Sequence, residues 1–308
     1  MKIDSSGSEL NLEEKDIKKG KNMKEKILWI WLSKIDISNK IKLDLIKKFK
    51  GIENIWKANA DDFIYFKFNN TTIDKIMDLN LRKNLEEEFE FMVKNNIDII
   101  NYTEKNYPKK LLQINNFPIV LYYIGNIKLL SQRNIAIVGS RFSSEYGKTV
   151  ARNISKQLSD FKINIVSGLA IGIDKYAHLG SLDSNIGKTI AVLGTGVDEE
   201  SIYPQENKKI YERIIENGGV VISEYPIKTK PISYHFPARN RIISGLSEKV
   251  IVVEASIKSG SLITADFALE QGKDVWAVPG NIYSKTSEGT NELISDGAFL
   301  LSKIEDIL

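Results

Sequence analysis

Residues 139–144, Gly-Ser-Arg-Phe-Ser-Ser, follow the apolar run Ile-Ala-Ile-Val and precede a helical pattern. A strand that ends in Gly-Ser and restarts as a helix on two serines aims backbone N–H groups at an anion. Two further segments carry the same kind of chemistry. In HFPARNRIISGLS (235–247), Arg239, Asn240 and Arg241 follow Pro237 at a helix start. In EASIKSGSLITA (254–265) a strand ends at Glu254, and Lys258, Ser259, Gly260 and Ser261 precede the next helix, a second N–H nest with a cation beside it. Guanidinium, ammonium and backbone amides in three loops together describe a phosphate site.

The neighbours decide whose phosphate it is. A dinucleotide fold needs G-x-G-x-x-G and an acidic residue closing the second strand. Here Arg141 and Ser144 hold the second and third glycine positions, and the second strand ends in Ser167-Gly168. Two GKT triplets, 147–149 and 187–189, lack the upstream glycine of a P-loop, because Phe142 and Leu182 stand there. They read as a helix-surface lysine and a turn before a strand. Arg141 then puts a planar charge where a glycine would allow close approach, which suits a backbone phosphate. The competing use of Arg141 is an ion pair with Glu145. Phe142, Tyr146 and Tyr234 offer aromatic faces to unstacked bases. Asp174 and His178, four residues apart, are assigned to packing and not to acid–base catalysis. No catalytic residue is expected.

These loops need a scaffold that brings them to one edge. Seven apolar runs, 119–125, 135–140, 163–168, 190–196, 220–224, 250–256 and 275–280, each end in Gly, Ser, Pro or Glu and alternate with helix-like segments such as 144–160. Strands apolar on both faces and separated by helices imply a doubly wound, mostly parallel α/β sheet with its crevice at the strands' carboxyl ends. Residues 23–102 show apolar recurrence at three and four (Ile41, Leu45, Phe49; Leu85, Phe89, Met92), the signature of a small all-helical domain. Its lysines read as a solvated face. Residues 1–22 are polar and charged, and a disordered tail is expected. The α/β domain is placed at 103–308.

Composition narrows the function. No cysteine is present and only two histidines, His178 and His235, so disulfides and thiolate metal sites are excluded and no cofactor or metal is expected. No apolar run is long enough to span a bilayer and no signal-peptide core is present, which predicts a cytoplasmic protein. A net charge of +3 leaves polyanion binding to a local patch.

The blocks GSRFSSEYG, IVSGLAIGIDKYAH, IAVLGTGVDEESIYPQEN, VISEYP, FPARNRIISGLS, VVEASIKSGSLITADFALEQGKDVWAVPGN and GTNELISDGA resemble, in order, those of the DNA-processing protein A (Smf) family over roughly residues 103–308. The resemblance implies an extended Rossmann-like fold and a protein that binds single-stranded DNA and loads a RecA-type recombinase onto it in natural transformation. It implies a homodimer and a binding protein, not an enzyme. The alternative is a related Rossmann-type enzyme hydrolysing nucleoside monophosphates, but its PGGxGTxxE block is replaced here by KSGSLITA, without the glutamate. Carried over by position, the resemblance implies that Gly139, Ser140 and Arg141 hold a phosphate, with Lys175, Arg239, Asn240, Lys258, Ser259 and Gly260 in the same pocket. Ile171 departs from the family's usual arginine. The helical region fits the sterile-alpha-motif-like or helix-hairpin-helix-like domain that precedes the Rossmann part. Many members continue into a C-terminal winged helix; this sequence ends in LLSKIEDIL, and such a domain's role is expected to be absent.

Overall fold

The computed structural model describes residues 12–308, with side chains from Met23 onward. The chain forms two compact units divided between Phe89 and Glu90.

The first unit is helical: α1 (Leu12–Lys34), α2 (Asn39–Phe49), α3 (Ile52–Lys57), α4 (Ala60–Tyr65), α5 (Asn70–Met77) and the start of α6 (Leu85–Lys94). Caps set its boundaries. Ser38 accepts from Ile41 N at the start of α2, and Asn59 and Asp62 exchange hydrogen bonds as a capping box on α4. Trp31, Leu45, Ile55, Phe63 and Ile76 are fully buried. The lysines behave largely as a solvated face, except that Lys42 is buried and donates to Ser33 O at 2.9 Å. Of the tail expected at 1–22, residues 1–11 lie outside the described residues. Residues 12–22 belong to α1, where Leu, Glu and Lys favour the helix.

The second unit is a nine-stranded sheet with helices on both faces. Its strands are β1 (Ile97–Asn101), β2 (Val120–Gly125), β3 (Asn134–Val138), β4 (Asn164–Ser167), β5 (Thr189–Leu193), β6 (Val220–Ser223), β7 (Lys249–Val252), β8 (Asp274–Ala277) and β9 (Phe299–Leu300). The intervening helices are α7 (Glu145–Asp160), α8 (Ile173–Leu182), α9 (Lys208–Glu216), α10 (His235–Leu246), α11 (Leu262–Glu270) and α12 (Glu288–Ser295). Strand order is β1-β2-β6-β5-β4-β3-β7-β8-β9, parallel from β6 through β9.

Two features differ from the sequence reading. Residues 97–101, read as the end of the helical domain, form β1, paired antiparallel with β2 (Ile99 opposite Tyr122). Hence the α/β unit begins before 103. The run at 119–125 is a strand, but it pairs antiparallel with β6 (Tyr122 opposite Ser223) and does not extend the parallel repeat.

The central strands are buried on both faces. Along β3, Ile135 and Ile137 pack with Ala151, Leu158 and Ala177 of α7 and α8, whereas Ala136 and Val138 pack with Ile242, Ile243 and Ala265 of α10 and α11. That period of two explains an apolar run without polar alternation. Each isoleucine, leucine or valine among them contributes about 1.5–3 kcal/mol before entropy when withdrawn from water, so the sheet is a rigid platform for its loops.

Candidate nucleic-acid interface

From β3 the chain lays β4, β5 and β6 to one side and then β7, β8 and β9 to the other. The loops after β3 and β7 therefore part at the switch point and leave a crevice beyond the strand ends. Its volume is about 380 Å³. One wall is 139–142 after β3, another is 256 and 258–261 after β7, and Phe236, Pro237, Arg239 and Asn240 of α10 form the third.

Nine of the eleven expected residues line it: Gly139, Ser140, Arg141 and Phe142 on the first wall, Arg239 and Asn240 on α10, and Lys258, Ser259 and Gly260 on the second. Arg141 is exposed, its guanidinium 5.6 Å from the centre of the Phe236 ring, close enough for a cation–π contact. Phe142 is 84% exposed at the rim. Ser140 Oγ accepts from Phe142 N at 3.0 Å and fixes the turn between them. On the second wall, Ser259 and Ser261 join through their hydroxyls at 2.8 Å ahead of α11. Asn240 Nδ2 donates to Gly260 O at 3.2 Å and ties α10 to that loop.

Arg239 plays a different part from Arg141. It is buried, donates through Nη1 to the carbonyls of Gly168 (2.7 Å) and Val192, and through Nε to Asn240 Oδ1 (3.0 Å). Burial pushes its pKa down to about 10, which leaves a cation in the crevice floor at neutral pH. Asp174 Oδ2 accepts from Gly168 N at 3.0 Å. Burial raises its pKa, against the opposing pull of Arg239 and the backbone amides of Gly168 and Ala170.

Two expected residues lie elsewhere. Arg241, which has no carboxylate near it in sequence, grips both oxygens of Glu224 at 2.6 Å and donates to Asn116 O and Ala238 O. Its guanidinium is fully committed and it does not line the crevice. Lys175 follows Asp174 on α8 and is likewise not a lining residue. The helix turn that points Asp174 inward carries its neighbour away.

The opening expectation of an anion at the N-terminus of α7 is met by the protein itself. Glu254, buried just past β7, accepts from Ser144 N at 2.8 Å and from Ser144 Oγ at 2.5 Å. A Cβ on Gly147 would overlap that carboxylate.

His178 is structural, as expected. It is buried, accepts from Leu169 N at 3.2 Å through Nε2, and pairs through Nδ1 with Thr189 Oγ1 at 2.7 Å. Asn207 holds Leu169 O at 2.9 Å, so the loop after β4 is fixed at both its amide and its carbonyl. Lys148 of the first GKT pairs with Glu145 on the surface of α7 at 2.6 Å. Ile171 is 37% exposed and borders a smaller hollow with Tyr203 and Phe236. Sequence reasoning passed over Phe236 and Thr264 as crevice residues and Glu254 as a loop partner; Ser261, read as part of the second nest, lines the crevice. The signal for Glu254 was a lone charge at the end of VIVV.

Residues 98–308 match the model of the DNA recombination-mediator protein A family. The chain belongs to this family. It is 42% identical to Protein Smf of Escherichia coli over 227 residues, 74% of this chain and 60% of that protein. It is 46% identical to DNA processing protein DprA of Streptococcus pneumoniae over 202 residues, 66% of this chain and 70% of that one. The solved structure of the pneumococcal protein superposes with a TM-score of 0.77 at 35% identity, over 90% of this chain and 94% of that one. DNA processing protein A of Helicobacter pylori, whose structure was described for its single-stranded DNA binding mode, superposes with a TM-score of 0.61 at 32% identity, over 68% of this chain and 93% of that one. The family is one of recombination mediators and not of enzymes. Asp174 is the one carboxylate among the described crevice residues, and it is held by Gly168 and Arg239. No helix among the described residues is long and apolar enough to cross a membrane.

Proposed function

We propose that this protein binds single-stranded DNA in the crevice between the β3 and β7 loops and, as a cytoplasmic homodimer, delivers the strand to a RecA-type recombinase. The observation that carries the reading is the convergence of Arg141, Lys258 and the backbone of two glycine- and serine-containing loops on one crevice, above a buried Arg239. A guanidinium and an ammonium at separate walls can each take a phosphate of one flexible backbone. Phe142 at the rim accepts an unstacked base. A crevice among loops admits a single strand, whereas a duplex needs an element shaped to a groove. Membership in a family of recombination mediators and the likeness to the Helicobacter protein support this reading.

The test is a salt-dependent binding titration against single strands and blunt duplexes of equal length. Single strands are expected to bind more tightly, with affinity falling as salt rises. A duplex bound as tightly as a single strand overturns the site. The delivery step is tested by recombinase filament assembly on strands coated with single-strand-binding protein, which the protein is expected to accelerate.

A further inference from the structure

The β3–α7 loop that carries Arg141 and Phe142 is held at both ends by one residue. At its start, Ser140 N donates to the backbone carbonyl of Glu254 at 2.7 Å. At its end, Ser144 N and Ser144 Oγ donate to the two side-chain oxygens of Glu254 at 2.8 and 2.5 Å. Thr286 Oγ1 is a third donor to the carboxylate, reaching Oε1 at 3.1 Å. Glu254 is 2% exposed. Between the two anchors, Arg141 and Phe142 project outward, both exposed.

We infer that Glu254 is a positioning residue for DNA binding, fixing the 140–144 loop so that Arg141 meets a phosphate and keeping the α7 N-terminus for its own carboxylate. The inference rests on the single-strand reading above. A helix N-terminus left open at this point of a Rossmann sheet is a phosphate site in its own right; filled by Glu254, it leaves the incoming backbone to Arg141 and the Lys258 loop. The carboxylate thus sits inside a site for polyanions and supports it. Electrostatics and positioning make opposite forecasts. Removing a negative charge from a phosphate site should strengthen binding if only the field matters, whereas releasing the loop should weaken it.

The experiment measures affinity and salt dependence for an oligothymidine by fluorescence anisotropy with the unsubstituted protein, Glu254→Gln, Arg141→Ala and the double variant. Gln offers an amide donor where two donors from Ser144 already converge. The expected result is a loss of about tenfold in E254Q, the scale of one charge-assisted hydrogen bond. The salt slope should fall by about 0.7, as it does when a single-strand phosphate contact is lost. In the R141A background E254Q should do almost nothing further, because its effect passes through Arg141. Thr286→Val, which removes one donor and leaves the carboxylate in place, should show a smaller loss with the same dependence on Arg141; it carries the test if E254Q fails to fold. Binding by E254Q that is unchanged or tighter, or a loss that is equally large without Arg141, overturns the inference. Failure of the unsubstituted protein to bind the strand overturns the reading beneath it instead.

Discussion

Asp174 Oδ2 lies 4.0 Å from Arg239 Nη2, and the two side chains are only 8% and 5% exposed. A carboxylate and a guanidinium sealed together beneath a crevice hold one another in place, since either alone would be an uncompensated buried charge. Asp174→Asn keeps the geometry and loses the charge; Arg239→Ala also strands the carbonyls of Gly168 and Val192. Arg239→Ala is expected to cost about 3–5 kcal/mol of stability; Asp174→Asn is expected to cost much less, because burial already disfavours the charge it removes, and the double variant less than their sum. Urea denaturation of the four proteins measures this. Additive losses would show that the pair is not coupled.

Much of this arrangement was legible in the sequence, and what was not has physical causes. The seven apolar runs mark β2 to β8 because a doubly covered sheet needs uninterrupted apolar strands. Residues 97–101 were hidden because Ile97 and Ile100 follow Phe89 and Val93 at helical spacings of three and four. Glycine, serine and a cation after the strands marked nine crevice residues. The same pattern misplaced Arg241, since nothing local announces that Glu224, 17 residues away in the chain, closes on it. Glu254 was missed as a loop partner for a like reason: its partners, Ser144 and Thr286, come from other loops. Local composition locates a loop; the fold alone decides which charges are already satisfied.

His178 makes the fold acid-sensitive in a defined window. Burial, and secondarily the charge of Arg239, push its pKa from an ordinary 6.5 down to about 3. Between these values the unfolded chain takes a proton that the folded protein refuses. The stability from a neutral His178 is therefore present above about pH 6.5 and lost as pH falls toward about 3. Asp174 acts in the opposite sense. With a raised folded pKa it takes its proton before the unfolded chain does and returns stability as pH falls toward 3.8. His178→Gln removes only the first effect. Its unfolding free energy is expected to be lower at neutral pH and to decline less steeply on acidification, measured by urea titration at a series of pH values. Parallel pH profiles would assign the acid sensitivity to another group.

Arginines of this site separate into two kinds that a single assay distinguishes. Arg141→Ala and Lys258→Ala are each expected to leave stability nearly unchanged and to lower the single-strand salt slope by about 0.7. Arg141→Lys should bind poorly as well, because the planar fork is lost. Arg241→Ala should do the reverse: it leaves the part-buried Glu224 without its partner, costs up to about 3 kcal/mol of stability, and preserves the slope of the protein that remains folded. A slope unchanged by R141A and K258A alike would move the phosphate site out of the crevice.

Phe142, 84% exposed beside Arg141, has no packing duty on the fold's inner side. Phe142→Ala is expected to weaken single-strand binding by about 1–3 kcal/mol, the range for one stacked base, with little dependence on which base is offered. Phe142→Trp should retain binding and give a fluorophore quenched on contact with the strand. Full affinity in F142A would leave the ring without a role in base contact.

The homodimer can be tested through the length of the strand. One crevice of about 380 Å³ meets few phosphates, and a net charge of +3 adds little general attraction. If two copies pair, a strand held in one crevice presents itself to the other at high effective concentration, without any new kind of contact. Affinity should then rise steeply once an oligonucleotide is long enough to reach both crevices, and the increment should vanish when one copy carries R141A and K258A in a mixed dimer. Light scattering at micromolar concentration should give twice the chain mass, a twofold pairing being the commonest closed assembly. The same length threshold should appear in recombinase filament assembly, since a strand held at two points leaves a fixed span between them for the recombinase to nucleate on. A monomer whose affinity stays flat with oligonucleotide length, and which leaves filament assembly unaltered, would remove delivery from its function and keep binding alone.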